Sequence, residues 1–246
     1  MRSLFPFFAI NKSAIYLDNA ATTQKPQATI NAMINYYSTS CANVQRGLYQ
    51  LAEDTTELFE TARKSAASFI NAASNQEIIF TSGTTESINL VASTWALQNL
   101  RAGDEVLITV AEHHTNLLPW QRVCKQTGAI LRFMNINTET FQIDPTSCLV
   151  SSRTRLLAVT LGSNVLSGIW GHENEILTRL IAQVKAQGGA VLLDAAQVVA
   201  HSPIDVQKLC VDFLTFSGHK MFGPTGIGVL YINRAWHDRL DPYQVG

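Results

Sequence analysis

The chain has 246 residues, with 18 basic and 19 acidic side chains and a formal net charge of −1. This balance argues against a nucleic-acid surface, which would need an excess of basic side chains. Hydrophobic residues make up 46% of the sequence, enough for one large domain or at most two, and no apolar run is long enough to cross a membrane.

The N-terminal part of the chain predicts one short strand and two helices. The apolar segment at residues 4–10 lacks a convincing signal-peptide cleavage site, so we expect it to pack on the protein. Residues 15–18 have the composition of a short strand, and Pro26 suits the first turn of a helix. Apolar residues at helical spacing define one face of each helix: Ile30, Met33, Ile34 and Tyr37 on the first, and Leu58, Phe59, Ala62, Ala66 and Phe69 on the second.

A strand at residues 78–81 is followed by Gly83, Thr84 and Thr85, and then by a helix. The apolar side of that helix consists of Ile88, Val91, Ala92 and Trp95. Because the first amides of a helix are unpaired and its dipole favours negative charge, this turn is a candidate anion site. Ordinary capping of the helix by threonine is the alternative.

Apolar runs continue to alternate with helical segments along the rest of the chain. Strand-like runs occupy residues 105–110, 130–134, 156–161, 190–194, 211–216 and 228–231. The clearest helical stripe consists of Ile176, Leu177, Leu180, Ile181 and Val184. This alternation predicts an α/β fold with a mostly parallel sheet and helices on both faces, an α-β-α sandwich.

Polar side chains follow the predicted strands at the points where the strands end. They are Thr84, Thr85, His113, Asn164, Asp194, Ser217 and Lys220. The carboxyl ends of parallel strands share one rim, where open sheets bind ligands. Asp194 and Lys220 at such a rim suit pyridoxal 5'-phosphate (PLP), whose aldehyde forms a Schiff base with a lysine and whose pyridine nitrogen pairs with a carboxylate. A structural ion pair is the alternative, but so many coinciding strand ends favour the cofactor site.

The histidines and cysteines were considered for metal binding and for disulfides. His113 and His114 are adjacent, so their side chains diverge, and the sequence offers no evident third ligand. We therefore predict no metal, and expect one imidazole to stack on an aromatic ring. The absence of paired spacing indicates reduced thiols in a cytoplasmic protein for Cys41, Cys124, Cys148 and Cys210.

Together these stretches resemble the cysteine desulfurases, fold-type I PLP enzymes similar to class-V aminotransferases, and most of all the branch that mobilises sulfur for iron–sulfur cluster assembly. The matching motifs are YLDNAAT (16–22), GTTESIN (83–89), EHH (112–114), SNVL (163–166), DAAQ (194–197) and SGHK (217–220). The resemblance runs from about Tyr16 to the end of the chain. It implies the large domain of a PLP-dependent transferase, built on a seven-stranded-type sheet.

The resemblance also implies roles for the matched residues. Lys220 would carry the Schiff base and shuttle the Cα proton, while His113 would stack on the cofactor ring and assist proton transfer. Asp194 would hold the pyridine nitrogen, and Gln197 would reach the phenolic oxygen. The cofactor phosphate would be held by Thr84, Thr85, Ser217 and His219.

Two further residues are assigned to substrate binding by the resemblance. Asn164 would lie near the substrate carboxylate and the ring oxygen. Arg46 matches an arginine that reaches towards the partner subunit's active site in the homodimers of the family. The implied reaction converts L-cysteine into L-alanine and an enzyme-bound persulfide, whose sulfur passes to an acceptor protein.

The sequence departs from the family pattern in three ways. Gln45 stands where the family often has histidine, and the segment between Leu166 and Glu173 is longer than expected. The family continues beyond the position of Gly246 into a smaller domain that carries the nucleophilic cysteine and an arginine for the substrate. We therefore expect an N-terminal segment at 1–15, a PLP-binding domain at 16–246 and no small domain, so that the chain alone is inactive. The alternatives are a selenocysteine lyase and a catalytically dead PLP-binding fragment.

Overall fold

A computed structural model describes residues 1–166, 170 and 174–245. Its centre is one sheet of seven strands: β1 Ile78–Thr81, β2 Glu105–Thr109, β3 Ile130–Met134, β4 Thr154–Thr160, β5 Ala190–Asp194, β6 Phe213–Ser217 and β7 Gly228–Ile232. The strands lie in the order β1-β7-β6-β5-β4-β2-β3. Only β7 runs against the other six, because it pairs antiparallel with both of its neighbours. The predicted α/β fold with a mostly parallel sheet is confirmed.

The helices that connect the strands also agree with the predicted alternation. They are α1 Pro6–Ile10, α2 Gln27–Asn35, α3 Gln50–Phe69, α4 Thr84–Val91, α5 Leu97–Asn99, α6 Leu118–Thr127, α7 Glu175–Ala186 and α8 Val206–Leu209. A π-helical turn, Ala92–Ala96, joins α4 to α5, and a second one, Tyr36–Ser40, extends α2. In the described part of the chain, no helix is both long and apolar enough to span a membrane.

Two hydrophobic cores lie on opposite faces of the sheet. Successive residues of β4 alternate between them, since Leu157 belongs to the core under α3 and α7 and Leu156 to the core under α4 and α6. All five residues of β5 and of β6 are buried, as expected for central strands covered on both faces. Helices on both faces thus make the α-β-α sandwich that the sequence predicts.

The predicted strand at residues 15–18 is wrong. The Tyr16 hydroxyl donates to the Thr22 carbonyl at 2.6 Å, and the Ala21 amide donates to the Asp18 carbonyl at 3.2 Å, so the segment forms a turn. It then pairs with a distant loop, because the Thr23 amide donates to the His219 carbonyl at 2.9 Å. Asp18, at the end of the predicted strand, is thus engaged in the turn, and no strand of the described sheet pairs with residues 15–18.

The predicted apolar faces of α2 and α3 are only partly correct. On α3 the buried side chains are Ala52, Thr55 and Ala67, whereas Leu58 and Phe69 are about half exposed. Small residues allow this helix to lie close to its neighbours. Phe59 is half-buried and packs edge-on against Phe80, at 5.3 Å between ring centroids. Helix α2 buries none of its residues.

The turn at residues 223–226 brings β7 against the start of α4. A Cβ atom on Gly228 would lie 2.5 Å from Cα of Gly83, so a larger residue would displace the turn before α4. The longer segment between Leu166 and Glu173 lies outside the described residues, apart from Trp170. That indole is buried and donates to the Phe141 carbonyl at 3.0 Å.

Candidate functional site

A cavity of about 420 Å³ opens at the carboxyl rim of the parallel strands. Of the ten predicted site residues, nine line it: Thr84, Thr85, His113, Asn164, Asp194, Gln197, Ser217, His219 and Lys220. The tenth, Arg46, lies outside it. The structure therefore brings together the side chains that the sequence located at strand ends, from β1, β2, β4, β5 and β6.

Asp194 is the last residue of β5 and is 3% exposed. Its Oδ1 accepts a hydrogen bond from the Ala196 amide at 2.9 Å, and no described group donates to Oδ2. Burial raises the pKa of this carboxyl to about 6, while the nearby Lys220 ammonium acts in the opposite direction. The carboxylate thus has one free oxygen and a strong electrostatic preference for a cationic partner.

Lys220 ends a 3₁₀ turn, Gly218–Lys220, that directly follows β6. Burial lowers the pKa of its ammonium group, and Asp194 opposes that effect only in part. A lysine with a lowered pKa is more often neutral, and the neutral amine is the nucleophile that attacks a carbonyl. The cavity therefore contains an amine suited to form a covalent bond with an aldehyde.

The first turn of α4 forms the third part of the cavity. The Thr84 amide donates to Oγ of Ser217 at 2.9 Å, and the two hydroxyls lie 2.9 Å apart. Glu86 turns away from the cavity and accepts the Ser82 amide at 2.6 Å, which lowers its pKa. The hydroxyls and the unpaired amides of this turn make a site for an anion such as a phosphate group.

His113 lies on the loop that follows β2, at the mouth of the cavity. Its Nδ1 accepts a hydrogen bond from the Thr115 amide at 3.2 Å, so the neutral ring carries its proton on Nε2. Burial first, and then Lys220 and His114, lower the pKa of the imidazole. A neutral, flat ring at this point is suited to lie against an aromatic ligand.

Comparison with known proteins decides the family. The family model for class-V aminotransferases matches residues 15–246, nearly the whole chain. The chain belongs to the class-V aminotransferase family. Curated proteins named cysteine desulfurase, from Escherichia coli and from Escherichia fergusonii, are each 46% identical to this chain over 232 residues. That alignment covers 94% of the chain but 56% of each relative.

Solved structures give the same result. A cysteine desulfurase CsdA from Escherichia coli superposes with a TM-score of 0.87 and 41% identity, over all of this chain and 60% of that one. An apo cysteine desulfurase from Thermococcus onnurineus gives a TM-score of 0.90 and 39% identity, over all of this chain and 59% of that one. A NifS-like protein gives 0.83 and 26%, over 94% of this chain and 62% of that one. This class-V aminotransferase chain therefore spans about three fifths of the solved relatives that it matches.

Two of the predicted residues, Gln197 and Arg46, have structural features that the sequence did not indicate. The amide of Gln197 donates to the Ala20 carbonyl at 2.8 Å, so this side chain also ties the N-terminal turn to the rim of the class-V aminotransferase site. Arg46 is exposed, and both it and Gln45 have a left-handed backbone, with φ of 55° and 62°. The roles proposed for both residues remain predictions.

The four thiols lie away from the cavity of this class-V aminotransferase. Cys41 and Cys210 are exposed and Cys124 is buried, and none of the four belongs to the cavity lining. Burial raises the pKa of the Cys124 thiol to about 11 and also raises the pKa of Cys148. Neither of those two thiols has the lowered pKa that marks a reactive nucleophile.

Glu112 belongs to the EHH motif, but the sequence indicated no role for it. Its two carboxylate oxygens accept hydrogen bonds from the Thr109 hydroxyl at 2.7 Å, the Asn116 amide group at 2.7 Å and the Thr160 backbone amide at 2.9 Å. Glu112 thus joins the ends of β2 and β4 just beside His113. Burial, with a smaller contribution from the charge of Asp194, raises its pKa to about 7, although the three hydrogen bonds act in the opposite direction. Thr109 and Asn116 are near Glu112 in sequence, but Thr160 reaches it only in the folded chain, so spacing did not reveal the full set of donors.

The raised pKa of Glu112 predicts that the free energy of unfolding depends on pH. Its pKa in the fold lies above the ordinary 4.5, so its stabilising effect is complete below pH 4.5 and is lost as the pH rises through 7. Relative to the parent, Glu112→Gln should gain up to roughly 3 kcal/mol in free energy of unfolding between pH 4.5 and pH 8. Urea unfolding at several pH values measures this, with the exposed Glu139→Gln as control. A difference that stays constant with pH would contradict the assignment.

Proposed function

We propose that this cavity binds pyridoxal 5'-phosphate, the cofactor of the class-V aminotransferase family. The observation that carries the proposal is the presence of Lys220 and Asp194 in one cavity. Oδ2 of Asp194 accepts no hydrogen bond from the described residues. An amine for the aldehyde, a carboxylate for the pyridine nitrogen and a helix start for the phosphate are the three groups that PLP requires. The residues present therefore fit the cofactor.

The residues of the proposed site have different roles. Lys220 would hold the aldehyde carbon covalently and, once released, move a proton to and from the substrate Cα. Asp194 would keep a proton on the pyridine nitrogen, and His113 would cover one face of the ring. When bound, PLP supplies an electron sink that stabilises negative charge at the substrate Cα. The phosphate would be held by Thr84, Thr85, Ser217 and His219.

We propose cysteine desulfuration as the activity of the whole protein, with L-alanine and a persulfide as products. Support comes from the curated relatives named cysteine desulfurase and from Asn164 at the cavity, where an amide can bind the substrate carboxylate. The persulfide sulfur would pass to an acceptor protein for iron–sulfur cluster assembly. The four free thiols accord with the reducing cytoplasm as the compartment.

We also propose that the protein acts as a homodimer in which Arg46 approaches the partner's cavity. Two successive left-handed residues, Gln45 and Arg46, cost free energy, and the Gln45 amide holds them by donating to Oγ1 of Thr56 at 2.9 Å. Leu48, two residues beyond Arg46, is 99% exposed. A costly, fixed conformation beside an uncovered leucine supports a surface that a second copy covers.

Borohydride reduction tests the proposed cofactor site. The protein purified with PLP should absorb in the near-visible, and reduction should remove that band and leave a pyridoxyl group on Lys220, because the reduced bond cannot hydrolyse. Peptide mass mapping identifies the modified lysine, and incubation of the whole protein with L-cysteine, followed by assays of alanine and sulfide, tests the substrate. Modification of another lysine, or none, would disprove the role of Lys220.

A further inference from the structure

The carbonyl oxygen of His219 accepts hydrogen bonds from an unusual number of donors. Four described groups lie within 3.1 Å of it: the Thr23 amide at 2.9 Å, the Thr23 hydroxyl at 3.0 Å, the Thr22 hydroxyl at 3.1 Å and Nζ of Lys25 at 3.0 Å. A carbonyl oxygen has two lone pairs, so these donors share it. All four come from one segment, residues 22–25, which we term the N-terminal clamp.

Lys25 is the charged member of the clamp. Besides the His219 carbonyl, its ammonium contacts the Thr23 carbonyl and Oγ1 of Thr22, so three acceptors surround its three donor protons. Its side chain does not belong to the cavity lining. Partial burial lowers its pKa, and its charge in turn contributes to the lowered pKa of His219. Lys25 therefore acts on the backbone next to Lys220 and not on a ligand.

The turn that carries Lys220 needs external support. Phe222, two residues later, has a left-handed backbone with φ of 69°, which is unfavourable for a bulky side chain. The Thr23 hydroxyl accepts the Phe222 amide at 2.9 Å, and the Thr29 hydroxyl donates to the Phe222 carbonyl at 3.1 Å. The clamp thus holds the backbone immediately before Lys220 and again two residues after it.

We propose that Lys25 is a positioning residue for Lys220, holding the His219 carbonyl so that the lysine amine is fixed towards the cavity. This inference rests on the proposed function, because it concerns the lysine proposed to hold PLP. A charge-assisted hydrogen bond contributes more than a neutral one, and an unpaired acceptor is costly. Removal of the Lys25 ammonium should therefore make the turn at residues 218–220, which positions Lys220, more mobile.

The test compares Lys25→Met and Lys25→Arg with the parent and with Lys12→Met, which changes an exposed lysine outside the clamp. Hydrogen–deuterium exchange of the cofactor-free protein reports on the turn itself. Amides in residues 219–222 should exchange about tenfold faster or more in Lys25→Met than in the parent. They should be unchanged in Lys12→Met and partly restored in Lys25→Arg.

A second measurement separates positioning from a purely structural contact. In the PLP-loaded protein, the near-visible absorbance of the lysine-linked cofactor should decay about tenfold faster in Lys25→Met when free PLP is removed by dilution. Unchanged exchange, or faster exchange with an unchanged decay rate, would overturn the proposal. If borohydride mapping of the parent shows no pyridoxyl group on Lys220, the proposed function fails instead, and the exchange result is unaffected.

Discussion

Replacement of Lys220 by alanine should abolish the covalent retention of PLP and, in the whole protein, lower the rate of the proposed L-cysteine desulfuration by at least 10²- to 10⁴-fold. That range is typical for the loss of a positioned general acid–base, and the lost covalent link adds to it. The variant should still fold, because Lys220 lies on a turn at the rim and belongs to neither hydrophobic core. Alanine and sulfide production, with PLP added in excess, measures the effect.

The control for this substitution is Lys125→Ala, which changes an exposed lysine in the last turn of α6. It should leave both the borohydride adduct and the turnover rate unchanged. The cofactor-free Lys220→Ala protein should also show a higher pKa for Asp194, because the ammonium that lowers that pKa is gone. A pyridoxyl adduct at parental yield in Lys220→Ala would refute the assignment.

Replacement of Asp194 by asparagine should have opposite effects on the free and the loaded protein. Without cofactor, the pKa of Asp194 is raised in the fold. Its contribution to the free energy of unfolding is therefore fully present below pH 3.8 and is lost as the pH rises through 6. The asparagine variant should escape this loss, gaining up to roughly 3 kcal/mol in free energy of unfolding at neutral pH.

With PLP bound, the same variant should bind the cofactor more weakly or deprotonate the substrate Cα more slowly than the parent. Asparagine offers no charge to the pyridinium, and breaking a buried charge pair costs about 3–5 kcal/mol. This corresponds to a loss of roughly 10²- to 5 × 10³-fold in cofactor affinity or in the rate of Cα deprotonation, which exchange of the substrate Cα proton in D₂O measures. Thermal unfolding of both forms at pH 5 and pH 8 completes the test. An unchanged rate of deprotonation would show that Asp194 is only a structural residue.

The sequence predicted the sheet and its functional rim well, for a physical reason. Strands buried on both faces, such as β4 and β5, are continuous apolar runs that are easily recognised, and their ends must meet when the strands are parallel. Asp194 and Lys220 could therefore be located together before any coordinates. Their chemical roles came from the resemblance to a family, since spacing alone left an ion pair as an alternative.

Other features depended on contacts between distant segments. Lys25 meets the His219 carbonyl across 194 positions, and no local pattern indicates such a pairing. The strand predicted at residues 15–18 failed for a similar reason, because the turn that follows it is held by the Tyr16 hydroxyl and by the distant His219 carbonyl. On α3 the apolar residues are present, but Leu58 and Phe69 remain half exposed, since small residues face the sheet.

The position of β7 has a consequence for biosynthesis. In the described sheet, β7 lies between β1 and β6 and is the only partner of β1, although 146 residues separate the ends of β1 and β7 that pair at Thr81 and Gly228. A ribosome adds about 5–20 residues per second, so β1 is an unpaired edge for roughly 7 to 30 seconds of synthesis.

The turn before α4, which is proposed to bind the phosphate, is subject to the same delay. Thr84 can form its hydrogen bonds with Ser217 only after the 132 residues between them have been added. Exposed strand edges favour wrong pairing with other chains. The nascent protein therefore passes through an aggregation-prone stage that ends when β7 inserts. Because the cofactor contacts arise in the same step, a supply of PLP at that moment should favour productive folding over loss of the chain.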